Sequence, residues 1–237
     1  MITKETTDLS NINFQSGEAI LIDKPFKWTS FQVIYKIRRT INVKKVGHAG
    51  TLDPLATGLL IICTGKKTKK ISKFQELYKT YIGTILLGKR SASMDLETEL
   101  IGVDDIFNIT DEKIMEAKER FRGKILQVPP MYSAVKLNGK TLYKLARKGK
   151  SVKREPREVV IKKFEIKKIE FPEVHFEIEC SKGTYIRVIA DDFGNTLGCG
   201  GVLSSLRRTK IGDYSVENAL NIDDFTDKFT LSISEKN

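Results

Sequence analysis

One carboxylate stands out by the residues around it. Asp53 lies within GHAGTLDPLATGLL (47–60), a stretch built almost wholly of small and turn-forming residues. Pro54 fixes its own φ and biases Asp53 toward extended backbone. Gly47, Gly50 and Gly58 permit close approach of backbone or ligand, and Thr51 and Thr57 can hydrogen-bond locally. The outcome is a rigid, exposed acid, the kind of group that serves as nucleophile or proton acceptor. Loops of this composition carry function more often than packing. The plainer alternative is that Asp53-Pro54 only opens a turn ahead of the buried run LLIIC. Two other segments hold side chains of comparable potential: KTYIGTILLG around Tyr81 and CSKGTYIRVIADDFG around Tyr185 and Arg187.

Composition narrows the chemistry. A formal charge of +11 over 237 residues and a pI near 9.4 point to a polyanionic partner, nucleic acid ahead of a membrane surface, although a solvated lysine face gives the same balance. Cys63, Cys180 and Cys199 are odd in number and have no CxxC spacing, so neither a disulfide framework nor a zinc site is expected. His48 and His175 are the only histidines, too few for a histidine-based metal site or a Ser-His-Asp hydrolase. MITKETTDLSNINFQ has no apolar core of a signal peptide and no run reaches the length of a membrane span, which leads to the expectation of a cytoplasmic protein.

The elements that must position these groups can be read along the chain. Residues 1–17 are polar and read as a loose arm, and EAILID (18–23) as a short strand. Thr29 with Gln32 suits a capping box, and Phe31, Ile34, Ile37 and Ile41 recur at helical spacing, so 30–41 is an expected amphipathic helix with a basic outer face. LLIICT (59–64) and KTYIGTILLG (79–88) read as strands flanking a basic helix, and 89–109 as a polar connection. Thr110 caps a helix ending at Gly123. In 129–152 an Asn138-Gly139 turn is flanked by Tyr132, Lys136, Lys140, Tyr143, Lys144, Arg147 and Lys148; this is either an arm that grips a phosphate backbone or an ordinary hairpin with solvated charges. Residues 157–171 and 173–181 alternate as paired strands, and 183–198 as a loop leading into a helix. Around 204–208 a small helix precedes a final strand, TKIGDYS. With no linker or repeat, the economical organisation is a single α+β domain over 18–220 followed by a tail, 221–237.

Taken in order, HAGTLDPLATGLL, KTYIGTILLG and CSKGTYIRVIADDFG, with LIDKP, PPMYSAVK and the late LRRTKIG, make the chain resemble the TruB family of tRNA pseudouridine synthases from about Glu18 to Asn218. The resemblance implies a mixed, mainly antiparallel central sheet flanked by helices, the pseudouridine synthase fold. It implies isomerisation of uridine to pseudouridine at position 55 in the T-arm loop of tRNA. Asp53 matches the family's essential aspartate, whether it attacks C1′, attacks C6 or assists elimination. Arg187 would pair with it, since a guanidinium holds a carboxylate bidentately and favours its charged form. Tyr81 would stack on the flipped uracil and Tyr185 would line the pocket. Lys24 and His48 match substrate-contacting or loop-supporting positions, and Leu206 a pocket wall. Tyr132, Lys136, Lys140, Tyr143 and Arg147 would belong to an inserted arm holding the T-arm. Each of these residues also has a plainer reading, Tyr81 as a core aromatic and Arg187 as a phosphate contact among them.

The resemblance further implies action on tRNA without a guide RNA; no cofactor, metal or membrane is expected, and a monomer is the default because nothing in the sequence argues otherwise. Many members carry a C-terminal PUA-like domain, and none is expected here after Tyr214. A phosphate-loop kinase is excluded because Gly58 and Gly65 are wrongly spaced and Lys66 is followed by lysine. The remaining rival is a non-catalytic RNA-binding or RNA-chaperone protein, which would have no use for Asp53 and Arg187 acting together.

Overall fold

A computed structural model describes residues 1–102, 106–137 and 139–234. The chain forms two compact units, Met1–Tyr81 with Leu206–Asn237, and Ile82–Ser205. The span expected as a single domain, 18–220, runs through both units, and the chain passes from one to the other inside two strands, Lys79–Leu87 and Gly201–Ile211, instead of through a Pro/Gly-rich linker.

The first unit opens with β1 (Ala19–Lys24), α1 (Ser30–Thr40), β2 (Val46–His48), β3 (Thr57–Thr64) and α2 (Ile71–Glu76), and enters β4 (Lys79–Leu87). The second unit continues with β5 (Arg90–Ser91), β6 (Leu100–Ile101), α3 (Asp111–Glu119), β7 (Gly123–Gln127), β8 (Lys136–Leu137), β9 (Lys140–Thr141), α4 (Leu142–Ala146), β10 (Arg157–Glu170), β11 (Glu173–Cys180) and α5 (Ile186–Thr196). Strand β12 (Gly201–Ile211) leads back to β13 (Tyr214–Ser215) and α6 (Ile222–Ser234). The class is α+β, with a mostly antiparallel central sheet in which β3 and β12 pair in parallel.

In the first unit the strand order is β1-β3-β12. Strands β1 and β3 are buried on both faces, which is why their sequences are continuous apolar runs and not alternating ones. Ile20, Ile22, Leu60 and Ile62 pack with Val33 and Ile37 of α1 and Phe225 of α6. Their neighbours Leu21, Leu59, Ile61 and Cys63 face the opposite way, toward Ile71 and Phe74. Thr29 caps α1 through the expected box with Gln32. The buried stripe of that helix is Val33, Ile37 and the capping Ile41, whereas Phe31, expected inside, is exposed. Residues 1–17, expected as a loose arm, are pinned: the Ile2 N–H donates to Ala19 O at 2.8 Å, and Ile2, Leu9 and Phe14 join the same core. The expected tail is also ordered as α6, with Phe225 edge-on to Phe14 at 6.5 Å between ring centroids. Isolated apolar residues in polar stretches supply these anchors, and no periodic pattern announces them.

In the second unit the order is β12-β4-β11-β10-β7. Phe121, Phe164, Phe176 and Phe193 form an aromatic core with neighbouring centroids about 6 Å apart, joining the β10–β11 hairpin to α5. The helix capped by Thr110 ends at Glu119, and Gly123, expected as its cap, instead begins β7 at φ +84°. The small helix expected over 204–208 is part of β12, since pairing with β3 outweighs a local SSLRR preference. Of the expected hairpin turn, Asn138 lies outside the described residues, while β8 and β9 pair Lys136 with Thr141 and Leu137 with Lys140. Among the described residues no helix is long and apolar enough to cross a membrane.

Candidate active site

Strand register dictates the surroundings of Asp53. Gly58 near the start of β3 sits opposite Lys24 on β1 and opposite Arg208 on β12, so two cations flank the strand at the foot of the loop. Both are fully buried. Lys24 Nζ donates to Pro25 O at 2.9 Å, Trp28 O at 2.5 Å and Pro54 O at 3.3 Å. Arg208 Nε donates to Leu59 O at 2.8 Å and Nη2 to Gly50 O at 3.1 Å. The loop is thus held on both sides of Asp53, at Gly50 and at Pro54. Three more bonds stiffen it. Ser30 Oγ accepts from the Leu52 N–H at 2.9 Å and donates to Leu52 O at 3.2 Å, and the Ala56 N–H donates to Asp53 O at 3.1 Å.

The electrostatics follow from this burial. Desolvation lowers the Lys24 ammonium from an ordinary 10.5 to about 8; the Asp53 charge opposes that shift, Arg208 adds to it and Asp23 opposes it. Lys24 and Asp53 therefore feel each other. His48, on β2, is held below its usual pKa by burial first and by Arg208 second, both of which favour the neutral imidazole; its Nδ1 is buried without a hydrogen-bond partner among the described residues. Leu206 is half-buried beside Arg207, whose guanidinium turns to the other face of β12 and grips Asp23 bidentately at 2.6 and 3.0 Å. Tyr81 is buried on β4.

Lys24 gives a pH test of this arrangement. Its folded pKa lies below its unfolded one, so between about pH 8 and 10.5 the unfolded chain binds more protons and this group's contribution to stability grows as pH rises. Urea unfolding of the intact protein should gain about 2 kcal/mol relative to Lys24→Met between about pH 7.5 and 9.5. Parallel stability curves for the two proteins would refute a buried, partly destabilised ammonium.

The remaining sequence candidates belong to the second unit. Tyr185 is the residue before α5, and its backbone is held on both sides by one amide: the Tyr185 N–H donates to Gln127 Oε1 at 2.7 Å and Gln127 Nε2 donates to Tyr185 O at 3.0 Å. Arg187, buried in the first turn of α5, donates from Nη1 to Ser93 O and from Nη2 to Tyr132 O, both at 2.8 Å, and its Nε lies 3.5 Å from the equally buried Asp95 Oδ2. Ser91, Ser93, Asp95 and Thr98 bond one another, so the stretch expected as a plain connection is a tight polar knot. Through Tyr132 O, Arg187 is tied to the start of the arm. There Tyr132 meets Tyr143 edge-on at 6.0 Å, the Tyr143 hydroxyl donates to Glu97 Oε1 at 2.9 Å, and the Arg147 guanidinium lies 5.9 Å from the Tyr143 centroid. The Glu97 hydrogen bond, then burial, raises the Tyr143 phenol. Lys136 and Lys140 stand exposed on β8 and β9.

Sequence reasoning named Asp53, Lys24 and Arg187 but missed what holds them. Arg208, Ser30, Gln127 and Asp95 were passed over. The signal for Arg208 lay in LRRTKIG: adjacent arginines on a strand point to opposite faces, so one of them must enter the protein. Gln127 and Asp95 carry no comparable signal, because their partners are backbone atoms and side chains far along the chain.

Comparison with known proteins places the chain among close relatives. A family model described as TruB family pseudouridylate synthase (N terminal domain) matches residues 38–186, and one described as tRNA pseudouridylate synthase B C-terminal domain matches 187–236, a span that includes α6. The chain is 48% identical over 220 residues to the tRNA pseudouridine synthase B of Phocaeicola vulgatus, covering 90% of this chain and 94% of the relative. It is 49% identical over 225 residues to that of Chlorobaculum tepidum, covering 93% and 94%. Among solved structures, one chain of a Cbf5-Nop10-Gar1 complex superposes with a TM-score of 0.74 at 26% identity, over 96% of this chain and 59% of that one.

Proposed function

Because the chain belongs to the TruB family of pseudouridylate synthases, we propose that it isomerises uridine to pseudouridine at position 55 in the T-arm loop of tRNA, with Asp53 as the residue the reaction requires. The observation that supports this most is the double clamp of the Asp53 loop by Lys24 and Arg208. Burying two cations under a surface turn costs stability, as the depressed Lys24 pKa shows, and a turn with no task would have no need of them.

In this reading the C1′–N1 bond of the uridine breaks, the uracil turns while held, C5 bonds to C1′, and the proton on C5 leaves while N1 ends protonated. Atoms and electrons balance without oxidant or cofactor. The base is first flipped from its loop, since its C1′ and C5 are unreachable in the stacked RNA. A rigid carboxylate suits the step at C1′ or C6, because the reacting atoms must be held at a fixed separation while the base turns. Tyr81, Tyr185 and Arg187 take the roles that the resemblance gives them, and Lys24 and His48 support the loop. Tyr132, Lys136, Lys140, Tyr143 and Arg147 grip the T-arm. The enzyme works in the cytoplasm as a monomer, without guide RNA.

The test is release of tritium from the C5 position of uridine in an unmodified tRNA transcript, because re-attachment through C5 must expel that hydrogen. Stoichiometric release of one tritium per tRNA is expected. Tight binding without release would overturn the reading and favour a non-catalytic RNA-binding protein.

A further inference from the structure

The outward side of α1 carries a feature that the reaction at Asp53 does not use. From Lys24 to Leu52 the chain holds seven lysines and arginines and not one aspartate or glutamate. The whole chain has 30 acids in 237 residues, about one in eight, so a stretch of this length would ordinarily hold three or four. The charge is segregated, and it comes with exposed rings. Phe31 is 67% exposed and Tyr35 45%, and Phe26 just ahead of the helix is 54% exposed. Phe31 and Tyr35 are four residues apart and so lie along one stripe.

The cations and rings are arranged together. The guanidinium carbons of Arg38 and Arg39 lie 5.6 and 5.7 Å from the Tyr35 centroid, and Arg39 Nη1 donates to the Tyr35 hydroxyl at 3.4 Å. Lys27 Nζ stands 5.7 Å from the Phe26 centroid. Beside them a groove of about 440 Å³ runs between Trp28, Gln32, Tyr35, Lys36, Arg39 and Thr40. It shares only Trp28 with the residues that clamp the Asp53 loop. Exposed rings favour a flat apolar partner, and cations with no acid among them favour an anionic one. A nucleotide satisfies both with one molecule, and the groove has the size of an ordinary small-ligand site.

We propose that this groove is a second RNA-binding surface, taking an unpaired nucleotide whose base stacks on Tyr35 and Phe31 and whose phosphates meet Lys36 and Arg39. Stacking on a tyrosine already flanked by guanidinium groups is tolerant of sequence, since every base has a π-face. The surface therefore adds affinity for unpaired RNA and does not select the uridine. The inference rests on the reading of the chain as an enzyme that acts on RNA.

Two variants of the full chain separate its parts. Binding of a short fluorescein-labelled oligouridylate is followed by anisotropy between about 50 and 200 mM salt, with urea unfolding confirming that each variant is folded. Phe31→Ala/Tyr35→Ala is expected to weaken binding about tenfold or more at every salt concentration, leaving the slope of log affinity against log salt unchanged. Lys36→Ala/Arg39→Ala is expected to reduce that slope by about 1.4, near 0.7 for each phosphate released from a single strand. A general structural defect would not divide the effects this way. Unchanged affinity in the first variant or an unchanged slope in the second overturns the proposal and leaves the face to a protein partner. Tritium release from a tRNA transcript is measured on the same samples. Release by the intact protein without the two binding signatures removes the groove and keeps the synthase; the two signatures without release keep the groove and remove the synthase.

Discussion

Asp53→Asn is expected to reduce tritium release from tRNA by on the order of 10⁴-fold or more, with RNA affinity changed by less than a factor of about three. Asparagine keeps the size of the side chain and the turn chemistry of the loop, so Gly50 and Pro54 stay in the grip of Arg208 and Lys24. What disappears is the charge and the nucleophilic oxygen. Asp53→Glu restores both but carries the carboxylate one methylene further out. In a loop held at Gly50, Leu52 and Pro54 that displacement has no slack to absorb it, and a loss of about 10²-fold is expected. If Asp53→Glu retained full activity, the rigidity of the loop would be irrelevant to the reaction. The Asn variant has a second readout. The Asp53 charge holds the Lys24 ammonium up against the desolvation that lowers it, so without that charge the Lys24 pKa falls further. The pH-dependent rise in stability of Asp53→Asn should then begin below that of the intact protein. A rise at the same pH would show that the two side chains do not interact.

The parts of this structure that were legible in the sequence share a physical origin: they are set by residues close in the chain. The capping box of Thr29 and Gln32, the doubly buried strands β1 and β3, and the alternating hairpin of β10 and β11 each follow from local spacing. So does the tight turn that carries Asp53, because Gly, Pro and Thr crowd within a few residues of it. What was hidden depends on pairings across long separations. Residues 204–208 look helical alone, but Arg207 and Arg208 pair with Thr57 and Gly58, some 150 positions earlier, and the ladder decides. Ile2, Leu9 and Phe14 lie in a polar segment and find their core only because Ile20 and Phe225 offer it. The Arg207-Arg208 pair marks one arginine as inward, but the partners it clamps are illegible for the same reason. Nothing near Arg208 in sequence shows that Gly50 and Leu59 need a donor, because a carbonyl's need is created by the fold.

Gly58→Ala tests whether that long-range clamp positions the loop. Gly58 has φ +103°, in the region that side chains avoid, and an added Cβ would lie 2.3 Å from Arg208 O and 2.8 Å from Arg208 N. Those are backbone atoms of the neighbouring strand, so no rotamer change relieves the overlap, and β3 and β12 must separate where Arg208 reaches for Leu59 O and Gly50 O. Strain at such a φ alone costs on the order of 1–3 kcal/mol, and the loosened clamp adds to it, so a loss of about 4 kcal/mol in urea unfolding is expected. Gly183→Ala is the control: it sits at φ +79° with nothing among the described residues within 4 Å of the added carbon, and it should cost only the strain, about 1 kcal/mol. The activity of the folded fraction separates position from stability. With Arg208 displaced, Gly50 loses its donor and Asp53 its fixed place, so tritium release per folded molecule should fall about 10²-fold in Gly58→Ala and stay near the intact value in Gly183→Ala. A Gly58→Ala protein that is unstable but fully active once folded would show that Arg208 supports only the sheet, and that Lys24, Ser30 and the Ala56 N–H hold Asp53 in place without it.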